Sequence, residues 1–353
     1  VIYDESKPAQ GDETMPIITH LIADRFGSHI GKYHERLKVT YKGEDLLKAP
    51  LMYLEAVFIL SMGVSISVDA IQACCELGIP IHMLDGYGTP YASLYTPALG
   101  GTVVTRREQL RAYDDLRGFH LAVQFAQGKL ANQAKTLRYF AKTRKDTPIG
   151  EELKRVSLEL QDSLARLEGL EPACLSDDLR AYIMGIEGDA AHRYWQAVGL
   201  LLPESYGWLG RKTRGATDAV NSLLNYGYGI LYTQIERGLV LAGLDPYAGF
   251  LHADRPGKPS LVLDLIEEFR QVVVDRVVVG LVARNFTVER DEVGMMTDVT
   301  RRTFAEHILS HMEATVRYEG NRQALRHIIQ MQARQLASFV RGERASYEPF
   351  RME

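Results

Sequence analysis

Gly249 to Arg270 read GFLHADRPGKPSLVLDLIEEFR, a histidine on a Pro/Gly loop followed at once by an apolar helix that carries several carboxylates. The helix continues to about Arg284 through VVVDRVVVGLV, which is apolar nearly all round. Such a helix runs through an interior rather than along a surface. The stretch therefore predicts a helical body around a buried helix whose acidic first turns line a cleft. His252 and those acids are a candidate metal-binding set.

On a wheel at about 100° per residue, Val262, Leu265, Ile266, Phe269, Val273 and Arg276 to Val277 form the core stripe, and Asp264, Glu267 and Glu268 lie opposite. Taken alone, those three acids read as a solvated face. Asp264 can share an ion with either Glu267 or Glu268, whereas the two glutamates diverge by about 100°. One imidazole nitrogen with two or three carboxylate oxygens suits Mg²⁺ or Mn²⁺, and the nitrogen tilts the choice toward Mn²⁺. Without a cysteine, a structural zinc site is not expected.

A second helix, predicted over Asp177 to Leu201, carries a different signal. Glu187 falls within about 60° of Ile183, Met184, Ala190, Ala191, Tyr194, Val198 and Leu201, so it sits inside an apolar stripe. Burying an ionised carboxylate there costs several kcal/mol, at roughly that order, unless a cation or strong donors meet it. A metal, an ion pair with an arginine, or protonation would each answer that cost. Gly185 and Gly188 beside it leave room for close approach. His192 points about 140° away and does not share the site.

Working outward, the chain is expected to be α+β, with a linker or tail over 1–14, a β-rich N-terminal domain over 15–100 and an all-α catalytic domain over 101–353. The strand-like runs HERLKVTY, EDLLKAPL, YLEAVFIL and IPIHML are punctuated by Lys42-Gly43 and by a helix from about Ser67 to Leu77 that stops at Gly78. Gly86-Tyr87-Gly88 reads as a turn, and Pro97 to Gly101 as the joint between domains. Thr105-Arg106-Arg107-Glu108 has capping-box spacing and opens a helical region to about Lys145 with breaks near Gly118 and Gly128. Helices follow over about 150–168, from the Ser176 cap, from the Thr217-Asp218 cap to about Gly243, over 300–316 and over 321–340.

Among the 353 residues, 46% are hydrophobic and 24% charged, as in ordinary globular proteins, and no apolar run is long enough for a membrane helix. Cys74, Cys75 and Cys174 have no metal-ligand spacing and read as small core residues in a reducing, cytoplasmic setting. The net charge of -4 excludes a globally basic nucleic-acid binder, but the charge is segmental. Residues 101–145 hold ten lysines and arginines against three acids, and 317–353 hold seven arginines against four acids with no lysine. Both suit phosphate contact, although solvated helix faces give similar runs.

The blocks Gly-Ile-Glu187-Gly, Asp218-Ala-Val-Asn221-Ser-Leu-Leu-Asn-Tyr-Gly-Tyr, Gly243-Leu-Asp-Pro-Tyr-Ala-Gly-Phe-Leu-His252 and Ser260-Leu-Val-Leu-Asp264-Leu-Ile-Glu-Glu-Phe-Arg270 occur in an order that resembles the CRISPR-associated integrases of spacer acquisition, the "Cas one" family. The resemblance implies a metal-dependent DNA endonuclease and integrase with Glu187, His252 and Glu267 as metal ligands and Asp264 as an assisting acid. Glu267 stands where other members can carry aspartate. Asn221, with Arg211, Lys212 and Arg214 nearby, would face DNA. Also implied are a homodimer, a small ferredoxin-like "Cas two" partner, and, in some members, fusion or association with a "Cas four" nuclease or a reverse transcriptase. The other readings of the residues are a non-catalytic nucleic-acid scaffold and a small-molecule metallohydrolase.

Overall fold

The structure is a computed structural model and describes residues 2–3, 18–96, 102–213, 215–292 and 294–352. Most of the expected 1–14 tail and the 97–101 joint lie outside the described residues. The chain divides into two units. The first comprises Val1–Ala98 with Asn225–Thr233 and Thr287–Ser310, and the second comprises the remainder. Two short segments beyond residue 101 thus join the β-rich unit, so the units are not contiguous in sequence.

Strands β1 (Ile2–Tyr3), β2 (Ile18–Ala23), β3 (His29–Tyr33), β4 (Arg36–Tyr41), β5 (Glu44–Pro50), β6 (Ala56–Ile59), β7 (Ser65–Ile66), β8 (Ile81–Leu84) and β9 (Pro90–Leu94), with helix α1 (Val68–Glu76), form the front of the first unit. One sheet runs β1-β2-β6-β8-β9 and the other β5-β4-β3-β7. Strands β2, β6 and β8 pair in parallel, and β2 and β6 are buried throughout, which explains their uninterrupted apolar runs. In β4 the alternation is of period two: Leu37 and Val39 enter the core while Lys38 and Thr40 do not. Ser67 caps α1 by accepting from the Ala70 amide, and Gly78 ends it at a φ of 68°. Of the cysteines only Cys74 is a core residue; Cys174 is exposed, against expectation.

Gly86-Tyr87-Gly88 is the β8–β9 turn, held by Asp85, whose Oδ1 accepts from the Tyr87 and Thr89 amides. A Cβ on Gly229 would lie 1.5 Å from the Gly88 carbonyl oxygen. This backbone approach is closer than any side chain permits, and it fixes why 225–233 belongs to the first unit.

The second unit is built on helices α2 (Thr102–Tyr113), α3 (Leu116–Lys142), α4 (Pro148–Glu168) and α5 (Asp177–Gly199). Helix α6 (Ala219–Leu241) spans segments of both units, and α7 (Ser260–Ile266) and α8 (Arg276–Val282) follow in the second. Thr105 is not a cap. It lies inside α2, buried, where its hydroxyl accepts from Arg341. Gly128 does not break α3; a Cβ there would meet Pro349 Cβ at 2.9 Å and Glu268 Cγ at 3.0 Å, so the glycine permits close packing. Ser176 and Asp218 cap α5 and α6 as their sequences predict.

The predicted single helix over 260–284 is instead α7, a turn, a π-helical turn over Gln271–Asp275, and α8. A π turn inserts an extra residue and rotates everything after it, so one wheel cannot describe both halves. The widened turn leaves the Val272 carbonyl to accept from His311 Nε2 at 3.0 Å. After α9 (Asp298–Met312), a hairpin of β10 (Thr315–Tyr318) and β11 (Asn321–Ala324) precedes α10 (Leu325–Val340). The hairpin was not expected, because TVRY and NRQA are short and polar; Glu319-Gly320, with φ of 47° and 80°, was its one signal.

Beyond α10 the chain returns inward, and Tyr347, Phe350 and Met352 are buried. Asn132 on α3 donates to the Glu268 and Phe350 carbonyls and accepts from the Met352 amide. Phe350 stacks on Phe269 at a centroid distance of 5.0 Å. Asn132→Ala strands three buried backbone groups and should lower stability by about 3 kcal/mol. A shift of the urea midpoint worth less than about 1 kcal/mol would show that the tail is not held there.

Candidate functional site

Asp264 organises the loop before α7. Its Oδ2 accepts from the amides of Phe250 (2.6 Å) and Leu251 (3.1 Å), and its Oδ1 accepts from the His252 amide (2.8 Å) and lies 2.8 Å from His252 Nδ1. The carboxylate is fully buried and both oxygens are used. It therefore orients His252 rather than presenting itself to a ligand. With Nδ1–H donated to Asp264, Nε2 is the nitrogen left for other work. Arg180 braces the same loop, donating from Nε to the Phe250 carbonyl at 3.0 Å. Gly249 is required sterically, since a Cβ would stand 2.6 Å from Ser260 Cβ. Burial opposes a charged His252 ring, but Asp264, and beyond it Glu267 and Glu187, raise its pKa above the usual histidine value.

Glu187 on α5 and Glu267 at the end of α7 are both buried, and both pair with the ammonium of Lys129 from α3; the distance to Glu267 Oε2 is 2.8 Å. Arg270 holds the other oxygen, Glu267 Oε1, at 3.0 Å. Burial alone would push Glu267 up, yet Arg270, Lys129 and His252 hold its carboxyl down at about 2. Burial likewise opposes the Lys129 charge, and the two glutamates overcome it and keep its pKa above the usual lysine range. The cation that answers buried Glu187 is thus a lysine, not the arginine considered from sequence. Among the described residues, no group of three or more His, Cys, Asp or Glu side chains is arranged to hold a metal ion.

Glu268 faces elsewhere. Its oxygens accept from the Tyr347 hydroxyl at 2.6 Å and the Phe350 amide at 2.8 Å. Burial, only partly offset by those donors and by Arg351, pushes its carboxyl up to about 8. Between the two adjacent glutamates, then, the geometry puts Glu267 with Glu187 and gives Glu268 to the C-terminal tail. All three acids of this turn are buried, where the wheel placed a solvated face.

The expected DNA-facing set is rearranged. Asn221 is fully buried: it accepts from the Lys212 amide and Arg211 Nη1 and donates to the Gly210 carbonyl and Asp218 Oδ2. It shapes the loop before α6 and presents nothing outward. Arg211 also lies over the Trp195 ring, Lys212 is exposed, and Arg214 lies outside the described residues. In the arginine-rich tail, Arg326, Arg341 and Arg351 are engaged with Glu313, Glu343 and Gln127, while Arg317, Arg322 and Arg334 are exposed. In the 101–145 zone, Arg106, Arg107, Arg138, Lys142 and Lys145 are exposed, whereas Arg117 pairs with Asp115.

Arg180 and Arg270 had no role assigned from sequence, and Lys129 was counted in the basic 101–145 zone that suits phosphate contact, whereas it is largely buried between two carboxylates. For Lys129 a signal existed: Ala122, Phe125, Ala126, Asn132, Gln133 and Thr136 flank it at helical spacing and are all buried, so it sits in the inward stripe of α3.

Residues 21–309 match the family model of CRISPR associated protein Cas1. A relative described as CRISPR-associated endonuclease Cas1 1, from Archaeoglobus fulgidus, is 40% identical over 343 residues, which cover 94% of this chain and 98% of the relative. The chain belongs to the Cas1 family. Among solved structures, a casposase bound to integration product aligns at a TM-score of 0.79 and 20% identity, covering 94% of this chain and 93% of that one. A chain of a Cas6-RT-Cas1–Cas2 complex aligns at 0.75 and 21% identity, covering 96% of this chain and 37% of that one. At those identities the likeness is one of fold, and it agrees with the β-rich front and helical body predicted for a Cas1 protein.

Two outcomes follow for the site of this Cas1-family chain. Gly249→Ala should displace the His252 loop and cost about 1–3 kcal/mol through overpacking; an unchanged thermal midpoint would mean that the loop has slack. Glu268, whose folded pKa of about 8 lies above the ordinary 4.5, takes up a proton on folding, so its contribution is full at low pH and is lost as pH rises through about 8. Urea midpoints measured between about pH 5 and about pH 9 should fall for the wild type and fall less for Glu268→Gln. Parallel curves would assign the ionised form to the folded state.

Proposed function

We propose that this chain is a divalent-metal-dependent DNA endonuclease and integrase that inserts spacer DNA into a CRISPR array. The observation that carries the reading is the convergence of Glu187 and Glu267, from separate helices, on a single cation position within the electrostatic reach of His252. By chemical type the donors suit Mg²⁺ or Mn²⁺, with Lys129 now standing where an ion would: two carboxylates that share its charge, and an imidazole whose Nδ1 is held by Asp264, so that Nε2 is the nitrogen that would bind on losing any proton it carries. When bound, the ion would supply Lewis acidity to the scissile phosphodiester and lower the pKa of the attacking hydroxyl.

The chain's own residues do the positioning. Asp264 fixes the His252 ring and Arg270 fixes Glu267, so the donors lose little freedom on loading. The 3′-hydroxyl of the incoming DNA attacks phosphorus in the repeat, a new P–O bond forms, and the repeat's own 3′-oxygen leaves with a proton. Exposed Arg106, Arg107, Arg138, Lys142 and Lys145 offer sequence-tolerant phosphate contacts. The names of similar proteins, a casposase bound to integration product and a Cas6-RT-Cas1–Cas2 complex, support DNA and Cas2 as partners, and a second copy of the chain is proposed with them.

Glu187→Ala and His252→Ala should each reduce strand transfer, assayed with a short duplex, a repeat-containing plasmid, Cas2 and Mn²⁺, by at least about 100-fold. DNA affinity at fixed salt should stay within about threefold, because the phosphate contacts lie elsewhere. Full strand transfer by both variants, or in excess EDTA, would overturn the assignment of these residues to a metal site, whereas EDTA-insensitive DNA binding with no strand transfer and no Mn²⁺ binding would favour a non-catalytic scaffold instead.

A further inference from the structure

We infer that Lys129 is a built-in counter-cation that competes with the divalent metal for Glu187 and Glu267 and thereby sets the metal affinity of the site. The inference rests on the metal reading above. Lys129 projects from the inward stripe of α3, its side chain is only 13% exposed, and its ammonium is shared between carboxylates of two other helices. Glu187 and Glu267 bring two negative charges, and Lys129 and Arg270 bring two positive ones, so the cluster is neutral as it stands.

A doubly charged ion placed between the same oxygens would leave the cluster with an excess of two positive charges in a largely buried site. Like charges at contact distance repel strongly where water does not screen them. Lys129 therefore has to give up at least one carboxylate when the ion enters. Its flexible four-carbon stem allows that swing, whereas Arg270, bound to Glu267 Oε1 and not to the oxygen that Lys129 meets, can stay. Removing the ammonium leaves Glu187 without that cation and Glu267 with Arg270, and a metal that need expel nothing should bind them more tightly.

The test is Mn²⁺ binding to the full chain without DNA, measured by isothermal titration calorimetry for wild type, Glu187→Ala and Lys129→Met. The expected result is that Glu187→Ala loses the site and Lys129→Met binds at least tenfold more tightly than wild type. Equal or weaker binding by a folded Lys129→Met overturns the inference, since it would make the lysine neutral to the metal or a support for it. If wild type shows no Mn²⁺ site sensitive to Glu187→Ala, the metal reading itself fails, which is a separate outcome. Should Lys129→Met not fold, a structure of wild type with Mn²⁺ decides: Lys129 Nζ is expected to have left at least one glutamate, and its retention on both alongside the ion overturns the proposal.

Discussion

Two carboxylates buried side by side need positive charge between them, and much of the second unit can be understood as a way to supply it. Glu187 comes from α5, Glu267 from the end of α7 and Lys129 from α3, and with Arg270 on Glu267 the cluster is neutral and ties three helices together. Removing any single member would leave the buried set with one uncompensated charge, which is costlier than never having buried the set. The cluster is therefore both a structural fastener and the place where chemistry is proposed, and the two roles pull in different directions. A perfect internal ion pair has no use for a ligand. Assigning the positive charge to a long, flexible side chain keeps the acids accessible to another cation.

Three acids within five residues show how position, not residue type, decides a role. Asp264 spends both oxygens on three amides and an imidazole, Glu267 faces two cations, and Glu268 is sealed against Tyr347 and Phe350. Their carboxyl environments run from strongly charge-favouring at Glu267 to charge-opposing at Glu268. A peptide turn that rotates each side chain by about 100° suffices to produce this divergence when every direction is occupied by a different partner.

Much of this was legible beforehand. The alternation in RLKVTY, the Ser176 and Asp218 caps and the apolar setting of Glu187 all point where the structure goes, because each depends on neighbours a few residues away. What was not legible depends on distant segments. The wheel left Glu268 on a solvated face because it could not know that residues 347–352 return to cover it. The family resemblance placed Asn221 on the DNA-facing side, and its burial could not be foreseen because its four hydrogen bonds go to a preceding irregular loop. The π turn at Gln271–Asp275 has no compositional mark, and it invalidates any straight-helix projection across it.

The clamp at Asn132 and Glu268 also imposes a timetable. Glu268 and Tyr347 are 79 residues apart, and Asn132 and Met352 are 220 apart, so these bonds close only after long stretches of chain have been synthesised. Helix α7 leaves the ribosome well before the segment that packs against its final turn. A nascent chain with 347–352 still in the exit tunnel presents Phe269 and Glu268 to water, and the acid-bearing turn lacks its backing. The turn that carries Glu267 thus acquires its final packing late, and its rigidity is set by the order in which the chain is made rather than by any local sequence preference.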